Sequence, residues 1–504
     1  VPWLRSRQRG LRRLAQAPSF NTTHEESPMS VKHRIVDLLV VGGGTAGIVG
    51  AKTAAGLGAR TLLVEQARTG GDCLWTGCVP SKTLLSAAEH ATPVRALTGQ
   101  PPEFATVRER IFAAINTIAP VDSVAALEAS GVEVLTGALV FRAPGVAEVD
   151  DRQIRFRQAL IATGGAPATT VIPGLDPSRV VTSETIWDLD ARPGRLAIVG
   201  GGPIACELGQ AFARLGSQVT MVVRSGILPK EDPDAADLIR ASLAHDGVHL
   251  RENTTIEHAL TTDTGSMLQM QDGTTLKADT VLMAIGRVPR TAGLGLERLG
   301  VTLDGGGHIV TDTRMRTSNP LIWAAGDVTA HPQFTHLAGV HASVAAANAV
   351  LGLKRQISTT VPRVTFTSPE VAAVGLTTAD AGLGHRARTV LHTHVDRAVT
   401  EDHTGGFSRL VVDRHGKILG ATIVGPRAGE SLSEVTLAVQ KGLTTSDIAG
   451  TTHPYPSYSD GVWNAAVADV RERLASPLMR RATAALLWGR RRWLDRPAPH
   501  RRDR

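Results

Sequence analysis

The sequence predicts an α/β chain in which two Rossmann-like dinucleotide-binding domains, one inserted into the other, precede an α+β domain. Three observations predict it. An apolar run at residues 35–41 leads into GGGTAG, an Ala/Gly-rich stretch and a second apolar run at 60–65. The same order of strand, glycine turn, helix and strand returns about 158 residues later, at 196–200, GGPIACELGQAFARLG and 218–223. From Pro362 the pattern changes to strand-like segments at 363–366, 408–413 and 418–424, closed by a helical stretch at 431–441.

Between the glycine turns, helical segments around 107–129 and short strands near 132–135, 138–141 and 153–157 complete the first unit. The expected division is 35–180 with 285–355 for the first domain, 181–284 for the second and 361–464 for the third. Residues 1–34 read as a basic, polar extension. Because Met29 stands just before the first strand, 1–28 read as an upstream segment or arm. Residues 465–504 read as a basic helix or tail, with apolar and Arg residues at helical spacing over 465–496.

Composition narrows the function. At 504 residues and 42% hydrophobic content the chain can bury several cores, while 4% aromatic residues offer little for stacking nucleic-acid bases. The net charge of +7 resides in the ends: residues 1–34 hold +5 and 471–504 hold +8, so the body between them is −6. No nucleic-acid partner is expected. No stretch reads as a membrane span, and the Arg-rich opening lacks the apolar core of a secretory leader, so a cytoplasmic protein is expected.

In the first glycine turn Gly42 permits the tight bend, Gly44 lets the backbone approach a pyrophosphate, and Gly47 allows close helix packing. Glu65 follows at the end of the second strand, where a carboxylate can hold a ribose hydroxyl. The second turn offers Gly200 and Gly202, with Glu207 on its helix and Gly286 in a later AIGRVPR segment as further nucleotide-binding candidates. Its second strand ends in Val223 and Arg224 rather than an acid, and Lys230 follows. That cationic pair favours a 2′-phosphate, so NADPH is expected, with NADH the alternative. Solvated loop charges are the bland reading of the same two residues.

Only three cysteines are present, and two of them lie in GGDCLWTGCVPSKTLL, residues 70–85. Cys73 and Cys78, beside Gly77 and near Lys82 on a following helix, can form a small-loop disulfide whose thiolates a helix dipole and a cation would stabilise. A structural bridge and a metal site are the alternatives. A reducing compartment argues against the first, and the shortage of further ligands, with only Cys206 to spare, against the second. Cys206 itself reads as a small packing residue. No metal ligands are assigned.

Taken together, the two glycine turns, the cysteine segment, Ala162-Thr163-Gly164, AIGRVPR, AAGDV at 324–328 and PRVTFTSPEVAAVG at 362–375 resemble the class I pyridine nucleotide-disulfide oxidoreductases over about residues 35–460. The family includes glutathione reductase, dihydrolipoyl dehydrogenase and mercuric reductase. The resemblance implies a homodimeric FAD enzyme passing electrons from NADPH through flavin to a redox-active cysteine pair. Cys78 would be the flavin-facing thiolate, Cys73 the interchange thiol, and Lys82 a charge near the flavin. Thr163, Gly164 and Asp327 would bind FAD, as would the start of the helix near His336.

The likeness breaks near the end. Where disulfide reductases of the family carry His-Pro-Thr-x-Ser-Glu, this chain has Tyr455-Pro456-Ser457-Tyr458-Ser459-Asp460. A phenol of pKa about 10 cannot exchange protons at neutral pH as an imidazole does, which leaves His453, two residues earlier, as the substitute to consider. Mercuric reductases also place Tyr there, and RSGILPKEDP at 224–233 is similar to theirs. Their C-terminal cysteine pair and N-terminal metal-binding domain have no counterpart among these residues. The expected activity is therefore reduction of a soft metal ion or small disulfide. Dihydrolipoyl dehydrogenase, or a flavin electron-transfer protein or quinone reductase held at the inner membrane face by the basic tail, are the alternatives.

Overall fold

The computed structural model describes residues 35–382 and 384–495. The arm at 1–34 and the last nine residues of the basic tail lie outside them. Strand Val36–Val41 runs parallel between Thr61–Glu65 and Arg152–Ile161, and Val132–Thr136 and Ile322–Ala324 extend the parallel core on either side. These strands form because apolar β-branched and leucine side chains are buried on both faces: Leu38, Leu39, Val40 and Leu63 are fully enclosed. Leu139–Ala143 and Val146–Val149 add an antiparallel flap.

Helices Thr45–Gly56 and Thr335–Leu351 pack side by side on one face through Ala and Gly. A Cβ on Gly50 would lie 2.4 Å from Leu160 on strand Arg152–Ile161, so that glycine sets how closely the first helix lies on the sheet.

The second unit is a five-stranded parallel sheet ordered His249–Glu252, Gln218–Val223, Arg195–Val199, Thr280–Met283 and Val180–Thr182. The chain enters it through Gly165–Pro167 and leaves through Arg287–Pro289, and these two segments pair with each other as an antiparallel ribbon. That ribbon is the physical form of one domain inserted into another.

The last domain is a five-stranded antiparallel sheet with Ala428–Lys441 and Asp460–Leu474 packed on its apolar core. Two of its strands, Glu370–Gly375 and Arg386–Leu391, went unread in the sequence. Arg386–Leu391 alternates half-buried and exposed residues at a sheet edge, which leaves little apolar signal.

Two expectations need correction. Phe104–Ala129 is, by length and composition alone, apolar enough to cross a membrane. It is broken by a 3-10 turn at Ala119–Asp122, and Val107, Ile111 and Ile115 are buried in the same core as Leu84 and Ala88. The basic tail, read as one stretch from 465, is two helices. Asp460–Leu474 buries Ala465, Ala466 and Asp469 within the last domain, because Asp469 accepts from Arg386, Arg388 and Thr445. Only Pro477–Leu494 stands clear of the core.

Candidate active site

A cavity of about 860 Å³ runs from Glu65 to Cys73 and is walled by Gly42, Gly44, Thr163 and Asp327. At its Glu65 end the first glycine turn bends at Gly42, whose φ is +102°; a Cβ there would sit 2.5 Å from Ala162 O. A Cβ on Gly47 would lie 1.8 Å from Gly42 O, so no side chain fits. Helix Thr45–Gly56 has Gly44 as its N-cap with no side-chain cap, leaving its first N–H groups directed at the cavity. Glu65 accepts from Gly43 N at 2.6 Å and Ala67 N at 2.8 Å, which fixes its carboxylate at the rim. These features fit a dinucleotide: a cradle closed to any Cβ, an anion-seeking helix end and a positioned acid.

Thr163 Oγ1 donates to Arg290 O at 2.7 Å, and Gly164 O accepts from Arg290 N at 3.0 Å, so both hold the inter-domain ribbon as well as the cavity wall. Asp327 lies 3.3 Å from Arg287, and burial pushes its carboxyl above the ordinary range against that pull. Arg287 also meets Asp72, while Arg290 pairs with Glu184 at 2.8 Å. Asp72, Glu184, Arg287 and Arg290 were missed as site residues. The signal was present: two arginines three residues apart within AIGRVPR, and an acid directly before Cys73.

Cys73 lies in the short helix Gly71–Trp75, and Cys78 opens the helix Cys78–Thr98. Gly77 joins them; a Cβ there would be 2.9 Å from Asp72 O, so glycine lets the two turns close. Both cysteines are free and half-buried. Their pairing is asymmetric. The thiol of Cys73 hydrogen-bonds to Cys78, which together with burial pushes its own pKa far up. The Cys78 thiol is pulled down to about 6, first by that hydrogen bond, then by Thr335 Oγ1 at 3.3 Å and by the Lys82 charge, against the cost of burial. Position at a helix N-terminus acts in the same direction. Thr335 was another unread contributor.

Lys82 Nζ pairs with Glu207 at 2.8 Å and rests over the Phe366 ring at 4.3 Å. Glu207 in turn accepts from Phe366 N at 2.9 Å. The structure thus turns Glu207 towards Lys82 and the third domain, not towards the second glycine turn where the sequence had grouped it. That turn is otherwise built as the first: Gly200 has φ +131°, Gly202 caps the helix Pro203–Arg214, and Gly286 has φ +133° with open space around it. Arg224 and Lys230 are exposed and form no ion pair among the described residues. His336 does not line the cavity; its ring reaches Pro362 O at 2.9 Å, because one step along the helix turns it outwards from Thr335.

Tyr455 is 72% exposed and its hydroxyl donates to Asp396, which raises the phenol pKa further. Asp460 is buried and accepts from Ser457 N at 3.1 Å, holding the turn before its helix. His453 is tied down within its own domain: one ring nitrogen meets Thr451 O at 3.0 Å and the other Glu434 at 2.9 Å. Both ring nitrogens are thus engaged by groups of the last domain itself.

The chain matches the pyridine nucleotide-disulphide oxidoreductase family over residues 36–346 and that family's dimerisation domain over 361–466. It is 37% identical to a mercuric reductase of Streptomyces lividans over 85% of this chain and 95% of that protein. It is 35% identical to a dihydrolipoyl dehydrogenase of Thermus scotoductus over 86% and 97%. Among solved structures, LpdA from Mycobacterium tuberculosis matches with a TM-score of 0.79 and 31% identity over 88% of this chain and all of that one. A Cu(II) complex of the flavoprotein disulfide reductase RclA from Escherichia coli matches at 0.79 with 28% identity, over 86% and 100%. With two glycine-turn nucleotide folds, a thiol pair beside the cavity and these matches, the chain belongs to the pyridine nucleotide-disulphide oxidoreductases, enzymes that use FAD and NAD(P)H.

Proposed function

We propose that this enzyme carries electrons from NADPH to Cys73 and Cys78 and there reduces a soft, thiophilic metal ion, mercuric ion foremost. FAD, held by the first glycine turn, Glu65 and the Asp327 wall, supplies the two-electron relay between nicotinamide and sulfur. The observation that carries the reading is Tyr455. Exchange with an organic disulfide needs a group that shuttles a proton to the leaving thiol. Here the position holds a phenol bound to Asp396, and the nearby His453 is occupied by Glu434. Reducing a metal dication makes no such demand: NADPH and M²⁺ give NADP⁺, a proton and M⁰, and two sulfurs suffice to hold the ion. The mercuric reductase name of several relatives, and the copper bound by a structural neighbour, support the same class of acceptor.

The test is anaerobic NADPH oxidation by the holoenzyme with mercuric ion, Cu(II), lipoamide and glutathione disulfide supplied separately. Metal-dependent turnover that Cys73→Ser and Cys78→Ser each abolish is the expected result. Faster turnover of lipoamide than of either metal would overturn the reading in favour of dihydrolipoyl dehydrogenase, the activity named for the Thermus relative.

The preference for NADPH rests on Arg224 and Lys230, exposed and uncommitted at the end of the second domain's glycine-turn unit. Arg224→Ala with Lys230→Ala should lower kcat/KM for NADPH about tenfold and leave NADH little changed. Equal losses with both nucleotides would remove the assignment.

A further inference from the structure

We infer that the helix Pro477–Leu494 is a docking element for an anionic lipid surface. Its residues are helical throughout, yet not one is buried. Leu478 is 76% exposed, Leu486 74%, Trp488 61% and Trp493 56%, a concentration of bare apolar surface with no role in the enzyme's own core. At helical spacing Leu478, Ala482, Leu486 and Trp493 share one face, and no charged residue falls among them. Arg480 and Arg491 take the opposite side, Arg481, Arg490 and Arg492 flank the apolar face, and the helix contains no acid.

Charge decides between occupants. The helix alone carries five arginines, and residues 477–504 hold nine Arg against two Asp. A second copy of the same helix would bring like charges together, whereas a bilayer of acidic headgroups neutralises them while its acyl boundary accepts the apolar face. The tryptophans suit that boundary, being apolar in body with one N–H to leave at the headgroups. Arg492 lies over the Trp488 ring at 4.4 Å and Arg490 over Trp493 at 4.2 Å, so cation and ring are already paired along the helix. A position near Leu474, past the last buried turn of Asp460–Leu474, lets the helix meet a surface without disturbing the nucleotide folds.

Vesicle sedimentation of the full-chain holoenzyme tests this. With phosphatidylcholine vesicles containing about a third phosphatidylglycerol, at least tenfold more protein should pellet than with phosphatidylcholine alone. Binding should fall steeply with salt. Leu486→Glu combined with Trp493→Ser should abolish pelleting, and Arg481→Gln with Arg492→Gln should weaken it several-fold, each with NADPH oxidation unchanged as the sign of an intact enzyme. No pelleting of the native protein with anionic vesicles, or equal pelleting with neutral ones, overturns the proposal. So does concentration-dependent assembly beyond the dimer that Leu486→Glu abolishes while vesicles go unbound, since the face then belongs to a second copy. None of these outcomes depends on the identity of the electron acceptor.

Discussion

A thiol in a half-buried site ordinarily stays protonated, because burial penalises the thiolate. Cys78 reverses that through its neighbours. Cys73 donates to it, Thr335 lies 3.3 Å away, and Lys82 adds a positive charge. With its pKa lowered to about 6, the sulfur is ionised above that pH and protonates as pH falls through it. Thr335→Val removes one hydrogen bond while keeping the shape, so the Cys78 midpoint should rise by about 0.5–1 pH unit. Ultraviolet thiolate absorbance of the reduced protein against pH reads the midpoint directly; an unmoved curve would show that Thr335 does not hold the charge. The cysteine pair was legible in the sequence because its spacing lies within one short segment. Thr335 was not, since it comes 257 residues after Cys78 and only the fold brings it near.

At the level of elements, the same device appears twice and should be separable. In each nucleotide unit a glycine turn abuts the backbone just past another strand: a Cβ on Gly42 meets Ala162 O at 2.5 Å, and one on Gly200 meets Ala284 O at 2.3 Å, while within the first turn a Cβ on Gly47 meets Gly42 O at 1.8 Å. Gly200 also has a φ of +131°, which L side chains rarely adopt. Gly47→Ala should yield protein with most of its FAD lost, measured by the flavin absorbance per chain. Gly200→Ala should keep its yellow colour and lose NADPH affinity by tenfold or more, measured as KM. Loss of flavin in both variants would mean that the turns act on folding rather than on their separate ligands.

Glycine turns and buried strands were readable because they follow fixed spacings and continuous apolar runs. The edge strand Arg386–Leu391 was hidden because half-exposed residues carry a weak pattern. The split of the basic tail at Ala475 and Ser476 was equally hidden, since apolar residues bound for the core and those left bare look alike before packing.

Across the whole molecule, one small junction ties the three domains: Lys82 from the first, Glu207 from the second and the Phe366 backbone from the third meet within 2.9 Å contacts. Gln210 strengthens it by pairing with both backbone groups of Ser368. Two buried histidines make the assembled protein sensitive to acid. His341 and His392 are 3% and 1% exposed, and burial lowers each to about 4. Each is therefore held neutral in the fold but takes a proton near 6.5 once unfolded. The unfolded state binds more protons as pH drops, so their stabilisation is complete above about 6.5 and drains away down to about 4. By pH 5 the loss should be on the order of 2 kcal/mol for each. Urea unfolding midpoints should fall between pH 7 and pH 5, and His392→Gln should flatten that slope; an unchanged slope would exclude His392 as a source.

By itself the sequence determined the two nucleotide folds, their insertion, the following α+β domain and the cysteine pair. All of these are written in local spacing and apolar periodicity, which do not depend on distant partners. Tertiary structure alone decided which charges face which. It set Glu207 on Lys82, His453 on Glu434, Tyr455 on Asp396, and left Pro477–Leu494 bare. Side-chain partnership across domains is a matter of where folded surfaces meet, and residue order does not encode that in any local signal.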